Sequence, residues 1–168
     1  MQRVLPIPGD ITPGPLARPD RPCSGIAMAP VSLICSETVS RVSSVLNREV
    51  KQFGKKYMFD GNEETSWNSD QGATQWLVLE FPRTVQASLI QIQFQGGFAS
   101  QKCTVQGSRK GEELSQVAEF YPEDTNALQS FPLEGAPAAD KLKISFCNST
   151  DFFGRIIVYR LEVLGKRF

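Results

Sequence analysis

The chain has 168 residues, 40% hydrophobic and 21% charged, a size and balance that suit one domain with a core of its own. Its 18 basic residues are matched by 18 acidic ones, so there is no overall field to attract a phosphate backbone, and direct nucleic-acid binding is not expected. It contains no His, which removes Ser-His-Asp and Cys-His nucleophilic sites, histidine zinc sites and any histidine general base.

Residues 1–34 hold seven of the 11 prolines. Proline lacks a backbone donor and interrupts helices and central strands, so this segment is expected to be a disordered extension, with the folded domain at 35–168. No apolar run reaches the roughly 18 residues that span a bilayer, and the start, MQRVLPIPGD, lacks the charged-then-apolar order of a secretory signal. An intracellular protein without membrane contact is the expectation. Cys23, Cys35, Cys103 and Cys147 are widely spaced, with no CxxC pair, and are expected to be free thiols.

From Ser36 onward strand signals follow one another. TVSRVSSVL (38–46) is ambiguous, because Val39, Val42 and Leu46 also fit a helical stripe. WLVLEF (76–81) and SLIQIQFQ (88–95) come next. In the second, Ile90, Ile92 and Phe94 alternate with Gln91, Gln93 and Gln95, so the first set is expected to face the core. CTVQGS (103–108), QVAEFY (116–121), LQSFPL (128–133), KLKISFC (141–147) and RIIVYRLEVLG (155–165) follow, separated by Gly, Pro, Asn and Asp clusters. In KLKISFC the inward set is Leu142, Ile144 and Phe146. Six to eight short strands at this spacing predict an all-β, two-sheet sandwich or barrel.

The densest stretch is FDGNEETSWNSDQGATQW (59–76), which leads into the strand WLVLEF. The carboxylates Asp60, Glu63, Glu64 and Asp70 formally offer an acid and a base, but in a solvated loop nothing raises one pKa, so an enzyme is not expected. The pattern Phe-Asp-Gly-Asn-x-x-Thr-x-Trp, then Trp76 and an alternating strand, with RLEVLG (160–165) near the end, resembles the discoidin family. This galactose-binding-like jelly roll is also called the coagulation-factor type C domain. The resemblance covers roughly 36–166 and implies an all-β, two-sheet jelly-roll sandwich of about eight strands.

The resemblance implies several things. The family often holds a structural calcium in its first loop; mapped by position, the ligands would be the carbonyls of Tyr57, Asn62 and Leu161 with the side chains of Asp60, Thr65 and Glu162. Such all-oxygen sets suit calcium. The alternative is that Asn62 and Thr65 only make turn hydrogen bonds. No other cofactor is implied. Trp76 would lie in the core and Trp67 would seal the loop against the end of the sandwich.

Secreted members commonly join their first and last strands by a disulfide, for which YRLEVLGKRF offers Cys35 no partner. That departure places the chain with intracellular members that serve as interaction subunits. CSETVSRVSSVLNREVKQFGKKYMFD, LIQIQFQGGFAS, FYPEDTNALQSFP and TDFFGRIIVYRLEVLG are similar to members that act in the nucleus on an orphan nuclear receptor. The similarity implies a non-enzymatic interaction module, monomeric on its own, that binds the receptor, reduces its association with its DNA response element and so represses transcription. A carbohydrate-binding module, or a subunit of another nuclear or ciliary complex, is the alternative.

Such jelly rolls present ligands at the loops of one end. The candidates are NREVKQFGKK (47–56), QGGFASQK (95–102) and NSTDFFGR (148–155). Phe53, Lys55, Phe98, Phe152, Phe153 and Arg155 are the candidate contacts, because aromatic and Arg side chains dominate interface energies. One ring of the Phe152–Phe153 pair is expected to turn into the core.

Overall fold

The computed structural model describes residues 30–168. The strands are β1 (Val31–Ser32), β2 (Val39–Val42), β3 (Trp67–Asn68), β4 (Thr74–Phe94), β5 (Ser100–Ser108), β6 (Ser115–Phe120), β7 (Leu128–Pro132), β8 (Ala139–Ser149) and β9 (Ile157–Arg167). Among the described residues one short helix, α1 (Val50–Phe53), lies between two 3-10 turns at Leu46–Arg48 and Lys55–Met58.

β4 organises the sandwich. Its first half pairs with β2 on one side and β8 on the other; its second half pairs with β9 and β7. The change of partners falls at Phe81–Thr84, where the register shifts between Glu80 and Val85. One layer is therefore β2-β4-β8-β5-β6, and the other is β1-β9-β4-β7 with β3 added beside the start of β9. All pairings are antiparallel. WLVLEF and SLIQIQFQ, expected as separate strands, belong to this single strand. Pro82 sits at the bend, where the missing N–H costs no ladder hydrogen bond.

The period-2 alternation decides the core. Ile90, Ile92 and Phe94 from one layer and Leu142, Ile144 and Phe146 from the other are all buried, as expected. Phe94 meets Phe146 edge-on with ring centres 6.1 Å apart, and Trp67 packs on Phe146 at 5.9 Å. Trp67 is fully buried and its indole N–H donates to the Ser44 carbonyl at 2.9 Å. Trp76, expected in the core, is only half-buried. Leu77 and Leu79 point inward, so strand parity sends Trp76 to the outer face, under the Lys143 ammonium at 5.4 Å from its ring centre.

The expected disordered extension over 1–34 runs too far. Residues 1–29 lie outside the described residues, but Val31 and Ser32 pair with Gly165 and Leu164 of β9, and Leu33 and Ile34 enter the core. Four apolar or small residues beside an open strand edge are enough to continue the sheet past the prolines. Cys103 and Cys147 are free thiols, whereas Cys35 is disulfide-bonded, which corrects the free-thiol expectation at that position. Cys23 lies outside the described residues.

Candidate partner-binding site

Strand directions bring four loops to one end of the sandwich: the turn before β4, the turn after it, the β6–β7 loop and the β8–β9 loop. The β8–β9 loop is built by local hydrogen bonds. Asp151 accepts from the amides of Phe153 at 3.2 Å and Arg155 at 3.0 Å, and its carbonyl accepts from Gly154 N–H at 3.0 Å. Ser149 caps the other side, donating to the Arg155 carbonyl and accepting from the Asp151 amide. These bonds make a tight turn with Phe152 and Phe153 at its tip.

Both rings are outside the core. Phe152 is 94% exposed and Phe153 54%, the two meeting edge-to-face at 5.2 Å. The expected inward ring does not exist, because the alternation that governs strands does not extend into a turn closed by its own Asp side chain. Ile156, the next apolar residue, supplies the buried contact instead.

Arg155 joins this loop to its neighbour. Its guanidinium forms an ion pair with Asp151 at 3.2 Å and lies over two rings, 5.3 Å from the centre of Phe98 and 5.9 Å from that of Phe153. Burial opposes the charge on Asp151, but the Arg155 side chain and the Arg155 and Phe153 amides outweigh it and hold the carboxyl below the usual range. The loops are also tied through backbone: Thr150 N–H donates to the Ala99 carbonyl at 2.8 Å, and Ile157 N–H to the Phe98 carbonyl at 3.1 Å.

Two further loops complete the end. Gly72 N–H donates to the Phe153 carbonyl at 3.1 Å, so the final part of FDGNEETSWNSDQG buttresses the Phe pair. Gly154, at φ +87°, presses so closely on Gly72 that a β-carbon there would overlap its carbonyl oxygen. From the other side Asp124 and Asn126 accept from Gly97 and Gly96 N–H at 2.8 and 2.6 Å. Sequence reasoning left both loops out of the site. The signal was the Asp and Asn of FYPEDTNALQ, whose partners lie 27 and 30 residues away.

Phe53 and Lys55 belong elsewhere. Their segment starts at this end, where Ser44 Oγ accepts from the Asp70 amide, and then returns along the sandwich edge. Lys55 donates to the Ser40 carbonyl and lines a groove with Ile34, Thr38, Tyr57, Phe59 and Asp60. Phe53, half-buried at the end of α1, has no ring contact with Phe98, Phe152 or Phe153.

Of the oxygens mapped to calcium, three meet in one turn. Thr65 Oγ1 donates to Asp60 Oδ2 at 2.6 Å and lies 3.2 Å from the Asn62 carbonyl, while Asp60 Oδ1 accepts from the Asn62 amide. Tyr57 is on the preceding 3-10 turn, its hydroxyl bonded to the Lys51 carbonyl. Leu161 and Glu162 are buried in β9, and Glu162 Oε1 accepts from Ser32 Oγ at 2.5 Å. The donors are of the type calcium takes, but the turn oxygens are engaged with one another. Among the described residues no three His, Cys, Asp or Glu side chains group to hold a metal.

Residues 38–151 match the F5/8 type C domain. The chain belongs to that family. This F5/8 type C protein is similar to the Nuclear receptor 2C2-associated proteins of Danio rerio and Homo sapiens. It is 64% and 56% identical to them over 136 residues, which cover 81% of this chain and 96% and 97% of theirs. The likeness expected from the sequence is thus found. Among solved structures, the F5/8 type C fold is shared with the family 32 carbohydrate-binding module of C. perfringens NanJ in complex with galactose. The TM-score is 0.66 at 20% identity, over 81% of this chain and 99% of that one. It is shared also with chitosan-binding module 2 of a Paenibacillus chitosanase/glucanase, at a TM-score of 0.62 and 19% identity, over 75% and 95%.

Proposed function

We propose that this F5/8 type C domain is a non-enzymatic interaction module that acts in the nucleus, binding an orphan nuclear receptor through the end bearing Phe98, Phe152, Phe153 and Arg155. Binding lowers the receptor's occupancy of its DNA response element and so represses transcription. The names of the relatives support the receptor as partner. The observation that carries the surface is the Phe152–Phe153 pair, two large exposed rings on a turn fixed by Asp151 and Arg155. Holding apolar side chains in water costs about 1.5–3 kcal/mol each relative to burial, a gain that a partner recovers. A rigid turn loses little entropy when it docks.

The test is a titration of the full chain into the receptor bound to its labelled response element, followed by anisotropy. Bound DNA should fall near stoichiometric protein, and Phe152→Ala with Phe153→Ala should weaken the effect at least about tenfold, as expected of central anchors. No change well above the receptor concentration would sink direct competition. Exposed aromatics beside an Arg also suit sugar faces, so a glycan panel read with the same double variant measures the carbohydrate alternative; saturable glycan binding lost in that variant would favour it.

A further inference from the structure

The opposite end of the sandwich carries a second surface. There β4 turns at Phe81–Thr84, β5 ends at Ser108 and β8 begins at Ala139, enclosing a groove of about 520 Å³. The buried Phe81 and the exposed Pro82 line it together with Arg83, Arg109, Lys110 and Lys141.

The carboxylates of this end are largely occupied. Glu80 accepts from Arg41 at 2.8 Å and lies 3.4 Å from Lys141 Nζ. Asp140 accepts from Thr84 Oγ1 at 2.8 Å and from the Lys110 amide at 2.7 Å, with Arg109 Nε 3.9 Å away. The Thr84 hydroxyl above all, with the Lys110 amide and the charges of Arg109 and Lys110, holds the Asp140 carboxyl below its usual range despite the cost of burial. Arg83 and Lys110 form no ion pair among the described residues. Counting Arg41 with the lining residues, five cations (Arg41, Arg83, Arg109, Lys110, Lys141) surround three carboxylates (Glu80, Glu112, Asp140).

We propose that this groove docks an acidic peptide segment of a protein partner, its carboxylates between Arg83 and Lys110 and an apolar side chain against the exposed Pro82. Two features favour a peptide over a nucleic-acid strand. Single strands are held by bases stacked on exposed aromatic rings, and among the described residues the only ring lining the groove, Phe81, is buried. The chain as a whole also has zero net charge, so the positive field is local and short-ranged, matched to one acidic segment. Because the groove and the Phe loops lie at opposite ends, the domain can hold two segments at once.

The full chain should be titrated against a fluorescein-labelled peptide alternating Glu with Leu, its Lys-for-Glu counterpart and an oligo-dT strand, at low and at physiological salt. The Glu peptide should bind saturably, more weakly at the higher salt. Arg83→Glu with Lys110→Glu should weaken it at least about tenfold and let the Lys peptide bind, while Phe152→Ala leaves it unchanged. Gain of Lys-peptide binding shows that the reversed variant is folded. No saturable Glu-peptide binding, equal binding of oligo-dT, or indifference to the double reversal would each overturn the proposal. So would binding lost in Phe152→Ala.

Discussion

The guanidinium of Arg155 lies over the ring of Phe98, 5.3 Å from its centre, and so couples the turn after β8 to the turn after β4. The same guanidinium reaches Asp151 and Phe153, so one side chain holds three others. Arg155→Ala should lower stability by about 1–2 kcal/mol, the sum of a partly buried ion pair and two cation–π contacts. Arg155→Lys should recover only part of this, since an ammonium cannot reproduce the planar fork. Chemical denaturation of the three proteins checks both.

The acid response follows from Asp151. Its folded carboxyl titrates below the ordinary value, so the stability it contributes is present above pH about 4 and is lost as pH falls through the lower folded value. Asp151→Asn should therefore melt lower than the parent at neutral pH, and the gap should narrow below pH about 4. Melting temperatures of the two proteins across that window test the sign; a gap that widens in acid would contradict it.

Gly154 is the point at which the Phe turn and the turn before β4 touch. Gly154→Ala would set a methyl against the Gly72 carbonyl in a left-handed backbone that side chains resist, and should cost at least about 1–3 kcal/mol. The cost is local. Hydrogen exchange should show Gly72 and Thr150 amides deprotected while those of Ile90 and Ile144 keep their protection.

The two tryptophans separate cleanly. Trp67→Ala removes a fully buried ring and orphans the Ser44 carbonyl, and should cost about 3–5 kcal/mol. Trp76→Ala gives up a half-buried ring and one cation–π contact, and should cost about 1 kcal/mol. Urea unfolding midpoints rank them.

The free thiols should differ in reactivity. Burial pushes the Cys103 thiol up to about 12, against the lowering effect of a hydrogen bond from Ser100, so its thiolate is scarce at any ordinary pH. Cys147 is half-buried on the outer face of β8. Iodoacetamide at mildly alkaline pH should label Cys147 first and Cys103 only on unfolding, as peptide mass spectrometry would show.

Much of this fold is legible from alternation alone, because a strand with one buried face repeats every second residue; Ile90, Ile92 and Phe94 need no other information. The same rule reads one strand at a time, and a proline looks like its end. Pro82 does not end β4, since a bend between two sheets leaves its missing donor unused. The family resemblance puts Trp76 in the core, yet its parity with Leu77 and Leu79 turns it outward. The site is less legible than the core. The turn chemistry of TDFFG is written locally in Asp151 and Gly154, whereas the clamps of Asp124 on Gly97 and of Gly72 on Phe153 depend on chain ends meeting across the fold.

A single 21-residue strand serves both layers. Neither layer can therefore peel away and leave the other whole, since each would take half of β4 with it. Unfolding should be all-or-none, with the slowest-exchanging amides on both sides of Pro82 released in one event. A protease cut engineered at Phe81–Thr84 would do what no surface substitution does: it would turn one cooperative unit into two incomplete sheets, and with them dissolve the distance that keeps the Phe loops and the cationic groove apart.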